Sequence, residues 1–175
     1  MKTALEQLSG YAAYHRDTRN IATHFIGVPM IVVAITALLA RLQFPTPLGQ
    51  VSLAALITGV LVLYYLKLDL RLGSAMLAFN GLALVAGSAI AGLATPAWLG
   101  LGLGLFVVGW VFQFVGHYFE GRKPAFVDDL MGLLIGPLFV VAEWLFALGL
   151  CTELRDAIET RAGKTHGASR GARTA

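Results

Sequence analysis

Charge is the scarce commodity in this chain. Of 175 residues only 13% are charged, while 57% are hydrophobic, and the mean hydropathy is +0.73. Soluble domains carry about twice that share of charge, so a soluble fold is excluded and an integral membrane protein is indicated. Cysteine is nearly absent. Cys151 stands alone, which rules out an intramolecular disulfide. No cleavable leader is visible: Lys2 is followed by Glu6, Gln7 and Ser9, and the first long apolar run begins only after Asn20. That first segment is therefore expected to stay as an anchor. Period-two alternation is missing as well, which argues against a β-barrel. The length leaves room for one compact bundle.

What is present is a set of five apolar segments, at about 24–40, 48–66, 72–94, 97–116 and 130–150. A helix needs about 20 residues to span the hydrocarbon, and backbone groups in lipid must be satisfied internally. The expected fold is an all-α integral membrane bundle over 1–152, preceded by a short interfacial helix near 3–15 that carries Leu5, Leu8, Ala12 and His15 on one face. Phe44-Pro45-Thr46-Pro47 reads as a turn, Lys67-Asp69-Arg71 as a tight polar loop, and Thr95-Pro96 as a helix stop and start. Gly136-Pro137 is a candidate break that would make the last segment re-entrant. Residues 153–175 carry Arg155, Arg161, Lys164, Arg170 and Arg173 and are expected to be a disordered cytoplasmic tail. Its basic charge suits lipid headgroups and is no sign of nucleic-acid binding. His166 falls in the tail and is set aside.

Loop charge sets the orientation. If each segment crosses once, Lys2, Arg16, Arg19, Lys67, Arg71, Arg122 and Lys123 share a side, against Arg41 on the other. The first set is expected to be cytoplasmic. His15 and His24 then lie at the cytoplasmic mouth of the first segment, and His117 at the cytoplasmic end of the fourth. Nine residues on one helix is about 900°, half a turn out of phase, so His15 and His24 converge only if the chain bends between them. Asp17-Thr18-Arg19-Asn20 supplies turn and capping residues for that bend. Pro29 is expected to kink the helix and free the Phe25 carbonyl.

Asn20 and His24 are four residues apart, as are Gln113 and His117, and Glu120 follows on the same face. Each histidine thus has an amide one turn before it, suited to orienting a ring. Three histidines with acids nearby suit non-haem iron, manganese or zinc. The spacing equally allows histidines that only hydrogen-bond at headgroup level, and the HxxHH boxes of His-rich membrane oxygenases are absent. Asp128 and Asp129 precede an apolar run in the manner of a helix cap. Arg122 and Lys123 fit either a carboxylate headgroup or ordinary positive-inside charge. Glu143 lies deep in the last segment, where an ionisable group is costly.

Three stretches, YHRDTRNIATHFIGVP, GWVFQFVGHYFEGRKPAFVDDL and GPLFVVAEWLFALG, resemble the membrane proteins related to the fungal endoplasmic-reticulum 2-hydroxy fatty acid (2-hydroxypalmitate) dioxygenase. The likeness runs from Tyr11 to Gly149. It implies Fe(II)-dependent α-oxidation, in which a 2-hydroxy fatty acid reacts with O2 at the membrane and is shortened by one carbon. It also implies that His15, His24 and His117 are iron ligands. Glu120 and Asp128 would complete or orient the shell, and Arg122 would face the substrate carboxylate. The fungal protein has a second histidine beside the first; here that position is Arg16. The short loops look bacterial, placing the chain in an inner membrane. Two other classes stay open: a non-enzymatic transporter or lipid-binding protein whose histidines only orient helices, and a metal-dependent lipid hydrolase.

Overall fold

The computed structural model describes residues 2–47 and 49–167. It is helical apart from one small hairpin. The helices are α1 (Ala4–Ala12), α2 (Thr18–Ala40), α3 (Leu53–Leu68), α4 (Leu70–Ala91), α5 (Thr95–Glu120), α6 (Gly132–Ala147) and α7 (Thr152–Ala162). Strands β1 (Gln43–Thr46) and β2 (Gly49–Ser52) pair antiparallel between α2 and α3. Helices α2, α4 and α5 are each long and apolar enough to cross a membrane, α3 is a shorter apolar helix, and α6 with α7 forms a pair bent by 119°. Large apolar side chains face outward along these helices: Leu82 and Val85 of α4 are 73% and 70% exposed. Lipid contact accounts for such a surface on an integral membrane protein.

The chain divides into two compact units, one of 1–28 with 111–175 and one of 29–110, so the division falls inside α2 after Val28 and inside α5 after Trp110. In the 29–110 unit, α3 packs along α4. A single residue, Asp69, joins them, its Oδ1 accepting the Leu72 amide at 2.8 Å. Arg41 closes the far end. Its guanidinium lies 4.1 Å over Trp98 and donates to the carbonyls of Ala91 and Leu93 and to Thr95 Oγ1, which satisfies carbonyls that the end of α4 leaves open. The 48–66 segment is not helical throughout. β2 occupies 49–52, and Ser52 starts α3 by accepting the Ala55 amide at 3.1 Å.

In the other unit, α1 begins with a capping box between Thr3 and Glu6 and packs on α6 and α7. Gly136-Pro137 does not break α6. Proline removes one amide donor, and buried packing from Ile135 to Ala142 keeps the helix continuous. The bend comes later, at Gly149. Its φ of 75° allows a Schellman ending: the Leu150 amide bonds Leu145 O at 2.8 Å and the Gly149 amide bonds Phe146 O at 3.0 Å. Pro29 likewise sits within a continuous α2.

The segment after 153, read from composition as disordered, opens as helix α7. Ile158 is the anchor that the composition hid, 3% exposed. His166 follows it back onto the site. Its amide donates to Arg16 O at 2.8 Å, and its carbonyl accepts the Thr18 amide at 3.0 Å. Residues 168–175 of the expected tail lie outside the described residues.

Candidate metal centre

α1 ends at Ala12, and the chain turns through Ala13–Asp17 before α2 begins. The Asp17 carboxylate starts α2 by accepting the Arg19 amide at 2.8 Å, so the bend falls just before Thr18 rather than across 17–20. This turn resolves the half-turn mismatch: His15 sits on the connection, His24 on the second turn of α2, and their rings meet.

The meeting is specific. His15 Nδ1 lies 2.8 Å from Tyr11 O, and His24 Nδ1 lies 2.9 Å from Asn20 O. A carbonyl only accepts, so each Nδ1 carries the hydrogen and each Nε2 is left with a bare lone pair. Those two Nε2 atoms face one another at 3.2 Å. His117, from α5, closes the group, with ring centroids 4.8 Å from His15 and 5.2 Å from His24. Its Nδ1 is buried without a hydrogen-bond partner. The three residues are 0%, 1% and 6% exposed. Each offers a ligand nitrogen within 4.8 Å of the others, the one such cluster among the described residues. Burial, reinforced by His24, holds the His15 pKa well below the ordinary histidine value, so this ring is neutral, the form that binds metal.

This donor set fits a metal ion. Two lone pairs facing at 3.2 Å repel unless something positive lies between them. Two metal–nitrogen bonds of about 2.1 Å set the nitrogens about 3.0 Å apart at a right angle and about 3.4 Å apart at a tetrahedral one. The observed 3.2 Å falls between these.

The surroundings fix the rings. Tyr11 stacks on His15 at 4.1 Å with 6° between the planes, and Phe139 lies 5.5 Å from the same ring. Gly116 lets α5 approach α2: a Cβ there would overlap Thr23 Oγ1 and Asn20 Oδ1. Glu120 faces the loop. Its carboxylate accepts the Arg16 amide at 2.9 and 3.0 Å, the Asp17 amide at 2.8 Å and Asn20 Nδ2 at 3.0 Å. The residue on α5 three places after His117 thereby holds the turn bearing His15 and the start of the helix bearing His24.

The other sequence candidates take varied positions. Gln113 is buried one turn before His117 on α5. Asp128 accepts from the Tyr14 hydroxyl at 3.0 Å and pairs with Lys123 at 2.5 Å; these bonds hold its pKa below the usual carboxylate value. Neither acid caps α6, whose N-cap Met131 makes no side-chain capping bond; Asp129 Oδ1 instead accepts the Met131 amide at 2.9 Å in the turn before the helix. Arg122 donates to Ala13 O at 2.9 Å and lies 5.9 Å from the Tyr14 ring. Sequence reasoning passed over Tyr11, although it stands four residues before His15, the spacing that brings a carbonyl to a ring nitrogen.

Residues 1–148 match the family described as 2-hydroxy-palmitic acid dioxygenase Mpo1-like. The chain is also 34% identical over 155 residues to the 2-hydroxy-palmitic acid dioxygenase MPO1 of Saccharomyces cerevisiae, covering 87% of this chain and 86% of the yeast protein. No solved structure matches it. With a family match over most of its length and a relative aligned nearly end to end, the chain belongs to the Mpo1-like family of dioxygenases.

Proposed function

We propose that this chain is an iron(II)-dependent dioxygenase that shortens 2-hydroxy fatty acids by one carbon through cleavage of the C1–C2 bond. The observation that carries this reading is the pair of bare Nε2 atoms of His15 and His24 facing at 3.2 Å, with the unpartnered His117 Nδ1 beside them. Three neutral imidazoles would hold iron and leave positions free for other ligands. The yeast relative's description names 2-hydroxy-palmitic acid and a dioxygenase, which supports the substrate class. Atoms balance when the acid and one O2 give the acid one carbon shorter, carbon dioxide and water.

Iron, when bound, supplies the activation of oxygen. This chain's own residues do the rest. Tyr11 O and Asn20 O fix the tautomers of His15 and His24. The Tyr11 ring lies flat on His15 and keeps water from that face. Glu120 holds the connecting turn in place. The preponderance of Lys and Arg near the start of α2, around Asp69 and after α5 supports a site at the cytoplasmic face of the membrane.

The test is anaerobic loading with iron, followed by 2-hydroxypalmitate and oxygen. The expected product is pentadecanoate, read by mass spectrometry. Folded, iron-loaded protein that yields no shortened acid refutes the substrate assignment. Zinc in the purified protein with no oxygen dependence would instead point to a hydrolase.

A further inference from the structure

Among the described residues, Arg16 is the one buried arginine or lysine. It is 7% exposed, although arginine is rarely buried without a full set of acceptors. Two of its nitrogens are held: Nε donates to His15 O at 3.0 Å and Nη1 to Gly163 O at 2.8 Å. Nη2 is buried and has no hydrogen-bond partner. The residue also borders a cavity of about 300 Å³. Phe25, Phe146 and Ile158 give this cavity an apolar wall, and Glu143, Glu159 and Arg155 complete its charged lining.

We propose that this cavity is the seat of a long-chain carboxylate, with Arg16 Nη2 as the donor to the headgroup and Phe25, Phe146 and Ile158 as the contacts of the first part of the acyl chain. This inference rests on the fatty-acid reading above and replaces Arg122 as the carboxylate anchor. Arg122 lies exposed and donates to Ala13 O, and Lys123 is paired with Asp128. Arg16 has the opposite profile: it is desolvated, held rigid at two nitrogens, and short of one acceptor. A charge-assisted bond made there costs little further ordering of the side chain. The lining sets the ligand class. Two arginines against two glutamates leave no formal net charge, so the cavity does not favour a doubly charged phosphate. It takes a single carboxylate that meets the unsatisfied donor. The segment after α7 forms part of the seat, since Gly163 O fixes the guanidinium and Thr165 lines the cavity.

The experiment is ligand titration of the full chain in detergent, metal-free and iron-loaded, followed by the fluorescence of Trp144, whose ring lies 6.0 Å from Phe25. The probes are 2-hydroxypalmitate, its neutral analogue 1,2-hexadecanediol, the shortened acid pentadecanoate, and phosphatidate in mixed micelles. Wild type is expected to bind both acids at least 10-fold tighter than the diol, metal-free protein included, and phosphatidate is expected not to displace them. Arg16→Gln should reduce that preference to within about 2-fold while leaving diol binding intact. Arg16→Lys, which keeps the charge, should retain part of it, and it serves as the readout if the glutamine variant does not fold. An unchanged acid preference in both Arg16 variants overturns the proposal. So does loss of the preference in Arg122→Gln in its place, or displacement of the acids by phosphatidate. Acid preference that depends on Arg16 in a protein showing no oxygen-dependent shortening would sink the dioxygenase reading and leave the carboxylate seat standing.

Discussion

Glu120 is the residue whose replacement separates holding a metal from holding the residues that hold it. Its two carboxylate oxygens accept three donors, the amides of Arg16 and Asp17 and the Asn20 side chain, at 2.8 to 3.0 Å. Glu120→Gln keeps the shape, removes the charge, and turns one acceptor into a donor. Hydrogen bonds to an ionised group contribute about 1.5–3 kcal/mol against about 0.5–1.5 for neutral ones, so three donors lose about 3–4.5 kcal/mol between them. The partial exposure of Glu120 favours the lower end. The turn carrying His15 is what loosens, so the loss should surface as weaker metal binding, 10- to 100-fold, the range seen when orienting partners of metal ligands are removed. The assay is an iron-binding isotherm of wild type and variant, with the iron spectrum taken at saturation and hydrogen exchange measured across 13–20. The expected result is lower affinity, faster exchange in the turn, and an unchanged spectrum once iron is saturating. Unchanged affinity would refute the clamp. A changed spectrum at saturation would make Glu120 a ligand.

Replacing His24 or His117 by alanine should each remove most of the bound metal, read by elemental analysis; full retention in both variants would refute the ligand set. Gly116→Ala forces a methyl group into Asn20 and Thr23 and should destabilise the fold by about 1–3 kcal/mol, seen as a lower melting temperature in detergent with a parallel loss of metal. Acid should weaken the metal-free protein. His15 stays neutral when folded, below an ordinary value of 6.5, so as pH falls under that value the unfolded chain binds a proton the fold does not. Stability then declines by up to about 1.4 kcal/mol per pH unit from this residue; a melting temperature flat from pH 7 to 5 would contradict it.

The parts of this site that were legible in the sequence are those that depend on local geometry. A half-turn mismatch between His15 and His24 demands a bend, and Asp17 stands where a cap can supply one. Loop charge brings the end of the fourth apolar segment to the same side, and with it His117. Helix content followed from hydropathy, though the ends shifted wherever a cap or a pairing decided them. Ser52 starts α3 later than apolarity suggests because β2 takes the residues before it. Gly136-Pro137 looked like the break, yet buried neighbours keep α6 whole and Gly149 makes the turn.

What stayed hidden is set by contacts between distant residues. No spacing rule links Glu120 to amides more than a hundred positions away, and the same carboxylate could as well have been a ligand. Arg16 and Arg122 read alike as basic residues near a membrane mouth. Burial alone separates them, because burial turns an ordinary surface charge into a donor that must find an acceptor. The residue given little weight in the sequence therefore becomes the better candidate for recognising an anion. The segment after 153 shows the same limit. Its composition is that of a disordered tail, yet Ile158 docks it and Gly163 O accepts from Arg16. A deletion after Cys151 that leaves the protein folded and still binding the diol should then lose the preference for acid over diol in the same titration, because the segment supplies Gly163 O and Thr165 to the seat; an unchanged preference would refute its part in the site.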